Sequence, residues 1–179
     1  DLVTGFAGVA TLGHATVFGA GAYAAGIMAA KFGVTDPLAM LAIGALAGAL
    51  AGALTSLVIL RGHGLSQLVL SIAIVQLAHE AANKLSAWTG GSDGLSGIAP
   101  GPLLGLFRFD LWGRTAFVMA VVLLILVFVI LRLIVRSPFG MLCRGIRQDP
   151  VRIQAMGAPV YWTLVKMYTI AGAVAGLGG

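Results

Sequence analysis

The sequence predicts an all-α fold, a polytopic transmembrane helical bundle, and three observations carry that prediction. Hydrophobic residues make up 59% of the 179 positions and charged ones 9%, with a mean hydropathy of +1.02; a soluble domain carries about 25% charge. Several uncharged runs are long enough to cross a bilayer. Half of the 26 glycines fall inside those runs, where flexible linkers have no place. The formal net charge of +5 does not point to nucleic acid, because a phosphate-binding surface needs cations clustered on a water-facing domain. The chain reads as one domain over 1–179. It opens at Asp1 without a methionine and closes at Gly178-Gly179 in an apolar stretch, so a segment truncated at both ends is expected. No basic region followed by a cleavage site marks a signal peptide.

Residues 2–30 carry no formal charge but exceed one untilted span, and they hold Gly5, Gly8, Gly13, Gly19, Gly21, Gly26 and His14. A broken or re-entrant first helix is expected, with its irregularity near 12–15, since irregular backbone is tolerated where protein buries it or a cavity exposes it. The alternative is a span plus a short second helix. Residues 38–60 have no charge and reach about 34 Å at about 1.5 Å per residue, enough for a hydrocarbon core of about 30 Å. In this span Gly44, Gly48 and Gly52 recur every four residues and share a face, the spacing that lets transmembrane helices approach closely. Gly172 and Gly176 repeat the device in the last span, 161–179. The partner for these faces is either a second subunit or another helix of the same chain.

Residues 65–82 form a third span with His79 and Glu80 at its far end, where Glu80 and Lys84 stand at i, i+4. A solvated helix end and a substrate gate are the two readings of that cluster. An outer loop, 83–114, carries Trp88 and Trp112 near its ends, suited to the interface. The span 115–135 is interrupted only by Arg132, which can snorkel.

The loop 136–160 holds Asp149-Pro150, a helix cap and first-turn pair, and a stop at Gly157 with Pro159 beyond it. A helix of about seven residues lies between them, roughly 10 Å long. Ile153 and Met156 share a face at i, i+3 while Arg152 projects elsewhere. Its shape suits a groove on a soluble partner; the alternative is an interfacial helix on lipid headgroups. Arg61, Arg136, Arg144, Arg147 and Arg152, with Arg132 and Lys166 adjoining, stand on the side of this loop; Lys31, Lys84, Arg108 and Arg114 stand on the other. The positive-inside bias puts 136–160 in the cytosol. Cys143, the single cysteine, has no thiol partner and reads as structural.

No nucleotide-binding G-x-x-x-x-G-K-[ST] is present, because the run Gly90-Gly91-Ser92-Asp93-Gly94 lacks the lysine. The chain is therefore not expected to be an enzyme that hydrolyses ATP by itself. Gly94-Leu95-Ser96-Gly97 resembles the serine motif of rhomboid intramembrane proteases, but Pro100-Gly101-Pro102 follow at once and no histidine after His79 can act as base. Three histidines without convergent carboxylates or cysteines predict no metal site, and no cofactor is expected.

Three blocks resemble one family. Gly8-Val9-Ala10-Thr11-Leu12-Gly13-His14-Ala15, then Phe18-Gly19 and Gly21-Ala22-Tyr23, is similar to the G-x-x-S-L-G-H-A-x-F-F-G-x-G-A-Y signature of LivM-type permeases, inner-membrane subunits of branched-chain amino acid ABC importers. Thr89-Gly90-Gly91-Ser92-Asp93-Gly94-Leu95-Ser96-Gly97-Ile98 resembles the family's outer-loop motif T-G-G-S-D-G-L-x-G-I. Arg136-Ser137-Pro138-Phe139-Gly140, with Arg144, Arg147 and the Ala155-Met156-Gly157 turn, resembles its cytoplasmic loop. The resemblance implies a multi-pass protein of the bacterial inner membrane that imports leucine, isoleucine or valine. The implied partners are a second, LivH-like permease, two ATP-binding subunits and a periplasmic substrate-binding protein. It further implies a coupling helix over 149–157, with Asp149, Arg152, Ile153, Met156 and Gly157 as its residues. Gly13, His14, Gly19 and Tyr23 become candidates for the translocation path. One stretch departs: where relatives carry a tyrosine and then a threonine after Arg61-Gly62-His63, this chain has Gly64 and Val69. Urea, amides and aromatic acids therefore stay open as substrates.

Overall fold

The computed structural model describes residues 2–62, 64–95 and 114–179, and these form helices joined by short connections, with no strand among them. Ser96, Gly97 and Ile98 of the outer-loop motif, Arg108 and Trp112 lie outside the described residues. After a short π-helical turn, Val3–Ala7, come α1 (His14–Phe32), α2 (Pro37–Ile59), α3 (Leu65–Lys84), α4 (Ser86–Thr89), α5 (Arg114–Arg136), α6 (Pro138–Gln148), α7 (Pro150–Ala155) and α8 (Val160–Gly178). Five of these, α1, α2, α3, α5 and α8, are long and apolar enough to cross a membrane.

Three helices start by the same device. Asp36, Ser137 and Asp149 stand before Pro37, Pro138 and Pro150, and each side chain accepts a bond from a first-turn amide. Proline has no amide to leave unsatisfied at that position, and the cap supplies the oxygen that the next free donor needs.

The non-helical stretch ahead of α1 runs over 8–13; it overlaps the expected 12–15 at Leu12 and Gly13 and begins earlier, while His14 and Ala15 are helical. Gly8 ends the π turn in a left-handed conformation with φ 72°. The broken stretch is tied down from outside its own chain segment. Leu12 N–H donates to Ser71 Oγ at 3.1 Å, Gly13 N–H to Thr11 Oγ1 at 3.0 Å, and Thr11 Oγ1 lies 3.1 Å from the Tyr168 hydroxyl. Two side-chain oxygens, of Ser71 and Thr11, thus accept from amides that the break leaves without ladder partners, and the Tyr168 hydroxyl holds Thr11 in place. Tyr168→Phe is expected to cost about 1–2 kcal/mol by leaving Thr11 without this partner. Hydrogen exchange at the amides of 8–13 measures it, and rates equal to wild type would remove the tether.

A second difference concerns 136–160, which is not a loop with one helix: residues 138–148 form α6. Its Gly140, Cys143 and Ile146 are buried at three-residue intervals, while Met141, Arg144 and Arg147 face out. Arg147 donates to the Gly5 carbonyl, and the Arg144 guanidinium sits 5.1 Å from the Phe6 ring centre, so α6 clamps the N-terminal π turn. Burial pushes the Cys143 thiol above its ordinary pKa. Alkylation depends on the thiolate, so maleimide labelling of Cys143 at neutral pH is expected to be at least about tenfold slower in the folded complex than in detergent-denatured chain. Equal rates would place the thiol at the surface.

Candidate functional site

The glycines predicted as packing faces meet one another. A Cβ built on Gly48 would lie 2.6 Å from Gly176 Cα, one on Gly52 3.1 Å from Gly172 Cα, and one on Gly44 2.7 Å from the Gly176 carbonyl oxygen. Gly21 of α1 approaches the same point, its Cβ position 2.6 Å from Gly176 Cα. The seam therefore joins α2 and α8 of a single chain, with α1 alongside, and these glycine faces are spent inside the chain.

The four path candidates separate into two places. Gly13 is buried, its Cβ position 2.9 Å from the Tyr168 hydroxyl and 3.0 Å from Ile59 Cδ1, and the His14 ring centre lies 4.9 Å from that of Tyr168. Both belong to the packing around the break. Gly19 and Tyr23 lie farther along α1 and line a cleft of about 390 Å³ between α1 and α3. Thr16 contributes from α1, and Val75, Ala78 and His79 from α3. On each helix these positions follow the three-to-four-residue repeat of a single face. His79 thus stands apart from the ion pair of Glu80 and Lys84, which meet at 3.7 Å in the open. The sequence reading did not single out Thr16, Val75 or Ala78; the common face of 16, 19 and 23 with 75, 78 and 79 was the available signal.

The coupling candidates form a compact projection. Asp149 Oδ1 accepts from Arg152 N at 3.0 Å and its Oδ2 lies 3.7 Å from Arg152 Nε. Ile153 turns inward, its Cδ1 3.0 Å from the Cβ position of Gly145 on α6. Met156 follows the last helical residue and is 77% exposed, so it does not share a helical face with Ile153. Val151, 74% exposed and not singled out from the sequence, joins Met156 as outward apolar surface. Gly157 has φ 86°, a left-handed conformation that side chains disfavour, and it turns the chain toward α8.

On the other side of the molecule the Lys31 ammonium lies 4.0 Å from the centre of the Trp88 ring and donates to Ala87 O at 2.5 Å. Gly90, φ 78°, leaves no room for a Cβ against the Gly94 carbonyl, which explains a glycine there without invoking phosphate. Among the described residues no cluster of His, Cys, Asp or Glu could hold a metal ion.

Comparison with known proteins agrees with this architecture. The family model described as the permease component of branched-chain amino acid transport systems matches residues 1–179. The high-affinity branched-chain amino acid transport system permease protein LivM of Escherichia coli (strain K12) is 26% identical over 201 residues, a match covering 100% of this chain and 47% of that protein. The chain thus spans about half the length of the curated relative. No solved structure gives a significant match. With its match over the whole sequence and its five candidate spans, the chain is a multi-pass inner-membrane protein and belongs to the branched-chain amino acid transport permease family.

Proposed function

We propose that the chain is a membrane-spanning permease subunit of an ABC importer that passes leucine, isoleucine or valine inward, with the related substrates urea, amides and aromatic acids as the second reading. A second permease, two ATP-binding subunits and a periplasmic substrate-binding protein complete the machine, and ATP is hydrolysed in those partners. The carrying observation is α7. A six-residue helix capped by Asp149, stopped at a left-handed Gly157 and presenting Val151 and Met156 outward has the form of a knob docked in a groove. The loop 136–160 and Arg61 then face the cytosol, as the cation bias favours. Gly13 and His14 act on the path through the packing of the break, and Gly19 and Tyr23 border it. Transport is by alternating access: ATP-driven movement of α7 passes to α8 and the glycine seam.

The test is substrate-stimulated ATPase activity of the full-length assembled complex with leucine, isoleucine, valine, urea and aromatic acids. Stimulation by the branched-chain set is expected. Stimulation by urea or aromatic acids alone would select the second reading, and conduction without the ATPases would make the protein a channel.

A further inference from the structure

The two ends of the break ahead of α1 are hydrogen-bonded to different parts of the molecule. At its far end, Leu12 N–H and the Thr11 hydroxyl are bound to Ser71 of α3 and Tyr168 of α8, both candidate membrane spans. At its near end stands the π turn Val3–Ala7. A continuing helix would give the Gly5 carbonyl an amide from Val9 or Ala10, but Val9 N–H goes to Val3 O at 3.4 Å and the backbone past Gly8 is not helical. Carbonyls orphaned at a helix end need a donor from elsewhere, and Arg147 of α6 supplies it, its Nη1 donating to Gly5 O. The contact is fitted from both sides. A Cβ on Gly8 would lie 2.8 Å from Arg147 Cγ, so the glycine makes room for the arginine stem, and the Arg144 guanidinium sits 5.1 Å from the Phe6 ring centre. Val3 and Ala7 also share a buried apolar cluster with Cys143 of α6 and with Val165 and Met167 of α8. Burial of that kind is non-directional; the directional bond from the turn to another helix goes to α6.

The helix α6 is joined as closely to α7. Asp149 ends the first and caps the second, with no residue between them. Its N–H bonds to Gly145 O at 3.0 Å, and Ile153 Cδ1 lies 3.0 Å from the Cβ position of Gly145. The π turn, α6 and α7 thus make one continuous set of contacts on the side of the 136–160 loop, while Leu12 and Gly13 go with the spans. Residues 8–13 lie between the two sets. In hinged motions a few residues of this kind absorb the change in backbone angles.

We infer that Arg147 is a positioning residue for transport: its bond to Gly5 O makes the turn Val3–Ala7 travel with α6 and α7, and residues 8–13 are the hinge through which that travel reaches α1. This rests on the importer reading above and gives α7 a second output besides α8. The test uses the full-length chain in its complex in proteoliposomes, with substrate accumulated per ATP hydrolysed as the readout. The substrate is leucine, or urea or an aromatic acid where that is what the complex accumulates. Arg147→Met keeps the stem and loses every donor. It is expected to lower maximal uptake about tenfold while KM and the ATPase rate stay within about twofold, and Arg147→Lys, which keeps a donor, is expected to recover at least about half of the loss. Gly5→Cys with Gln148→Cys, on a Cys143→Ala background, places two thiols on one cavity between the turn and α6. Linked by a short bifunctional methanethiosulfonate, this complex is expected to keep at least about half of its uptake, because the two elements move as one. Uptake abolished by the link and recovered on reduction would show the turn parting from α6 in each cycle, and the assignment would fall. It would also fall if Arg147→Met left the substrate per ATP unchanged, or if assembly, uptake and ATPase activity declined together and Arg147→Lys recovered none of them; the importer reading would stand in each case. A complex that takes up none of these substrates overturns the importer reading and the role of Arg147 together.

Discussion

Gly48→Leu is expected to prevent assembly of the permease or to lower its apparent melting temperature by roughly 6–12 °C. The Cβ position of Gly48 lies 2.6 Å from Gly176 Cα and 2.9 Å from Gly176 N, and it meets the Gly172 carbonyl as well. Every one of those atoms is backbone, so no rotamer change on α8 can relieve the contact; α2 and α8 must move apart. Forcing extra methylenes into a packed core costs about 1–3 kcal/mol even where side chains can adjust, and here the upper end is the starting point. For a chain of this size about 1 kcal/mol shifts the melting temperature by roughly 2–4 °C. Separation also removes the close contact along the whole seam, which in a bilayer is a principal source of helix association. Gly5→Ala is the control, because nothing lies within 4 Å of that Cβ position. Size-exclusion profiles and thermal unfolding of the detergent-solubilised complex give the result. A wild-type profile for Gly48→Leu would show that α2 and α8 do not pack as described.

The spans were legible because a bilayer imposes a requirement on sequence that a soluble core does not: a long run without charge, with backbone bonds closed inside the segment. The apolar runs after Pro37 and Arg114 accordingly form α2 and α5. The spacing of Gly44, Gly48 and Gly52 was equally open to view, but not what they face. A small-residue stripe states how close a neighbour comes and is silent on which neighbour, so Gly172 and Gly176 of the same chain could not be told from a second subunit. The helix α6 was missed because its buried set is Gly140, Cys143 and Ile146, two small residues and one aliphatic, which carry little hydrophobic signal amid arginines. Its Ser137-Pro138 start is the same device that gave away Asp149-Pro150. The break in the first helix was legible at Leu12 and Gly13 but not its start at Gly8. The fixing interactions come from Ser71 and Tyr168, residues distant in sequence.

Arg152→Glu and Gly157→Pro are each expected to leave an assembled complex that hydrolyses ATP while uptake falls about tenfold or more. Arg152 has a side chain 79% exposed and meets Asp149 at 3.7 Å; a pair so placed contributes about 0–1 kcal/mol, so its loss does not unfold α7. The replacement also adds an acid to the first turn of a helix, where the dipole favours negative charge. What changes is the sign of the surface that α7 presents beside Val151 and Met156, so a defect is read in docking and not in folding. Gly157→Pro acts through geometry. The native φ of 86° is outside the range near −65° that proline permits, so the exit from α7 into α8 must take another course. The stub can stay helical, since Asp149 still caps it, but its movement no longer reaches α8 along the same line. Asp149→Ala separates the two effects, costing about 1 kcal/mol of helix stability without reversing charge or redirecting the chain, and a smaller loss of uptake is expected from it. The measurement is the number of substrate molecules accumulated per ATP hydrolysed in proteoliposomes containing the full-length complex. A ratio unchanged in both Arg152→Glu and Gly157→Pro would mean that force enters the membrane helices elsewhere, and α7 would revert to a headgroup-bound helix.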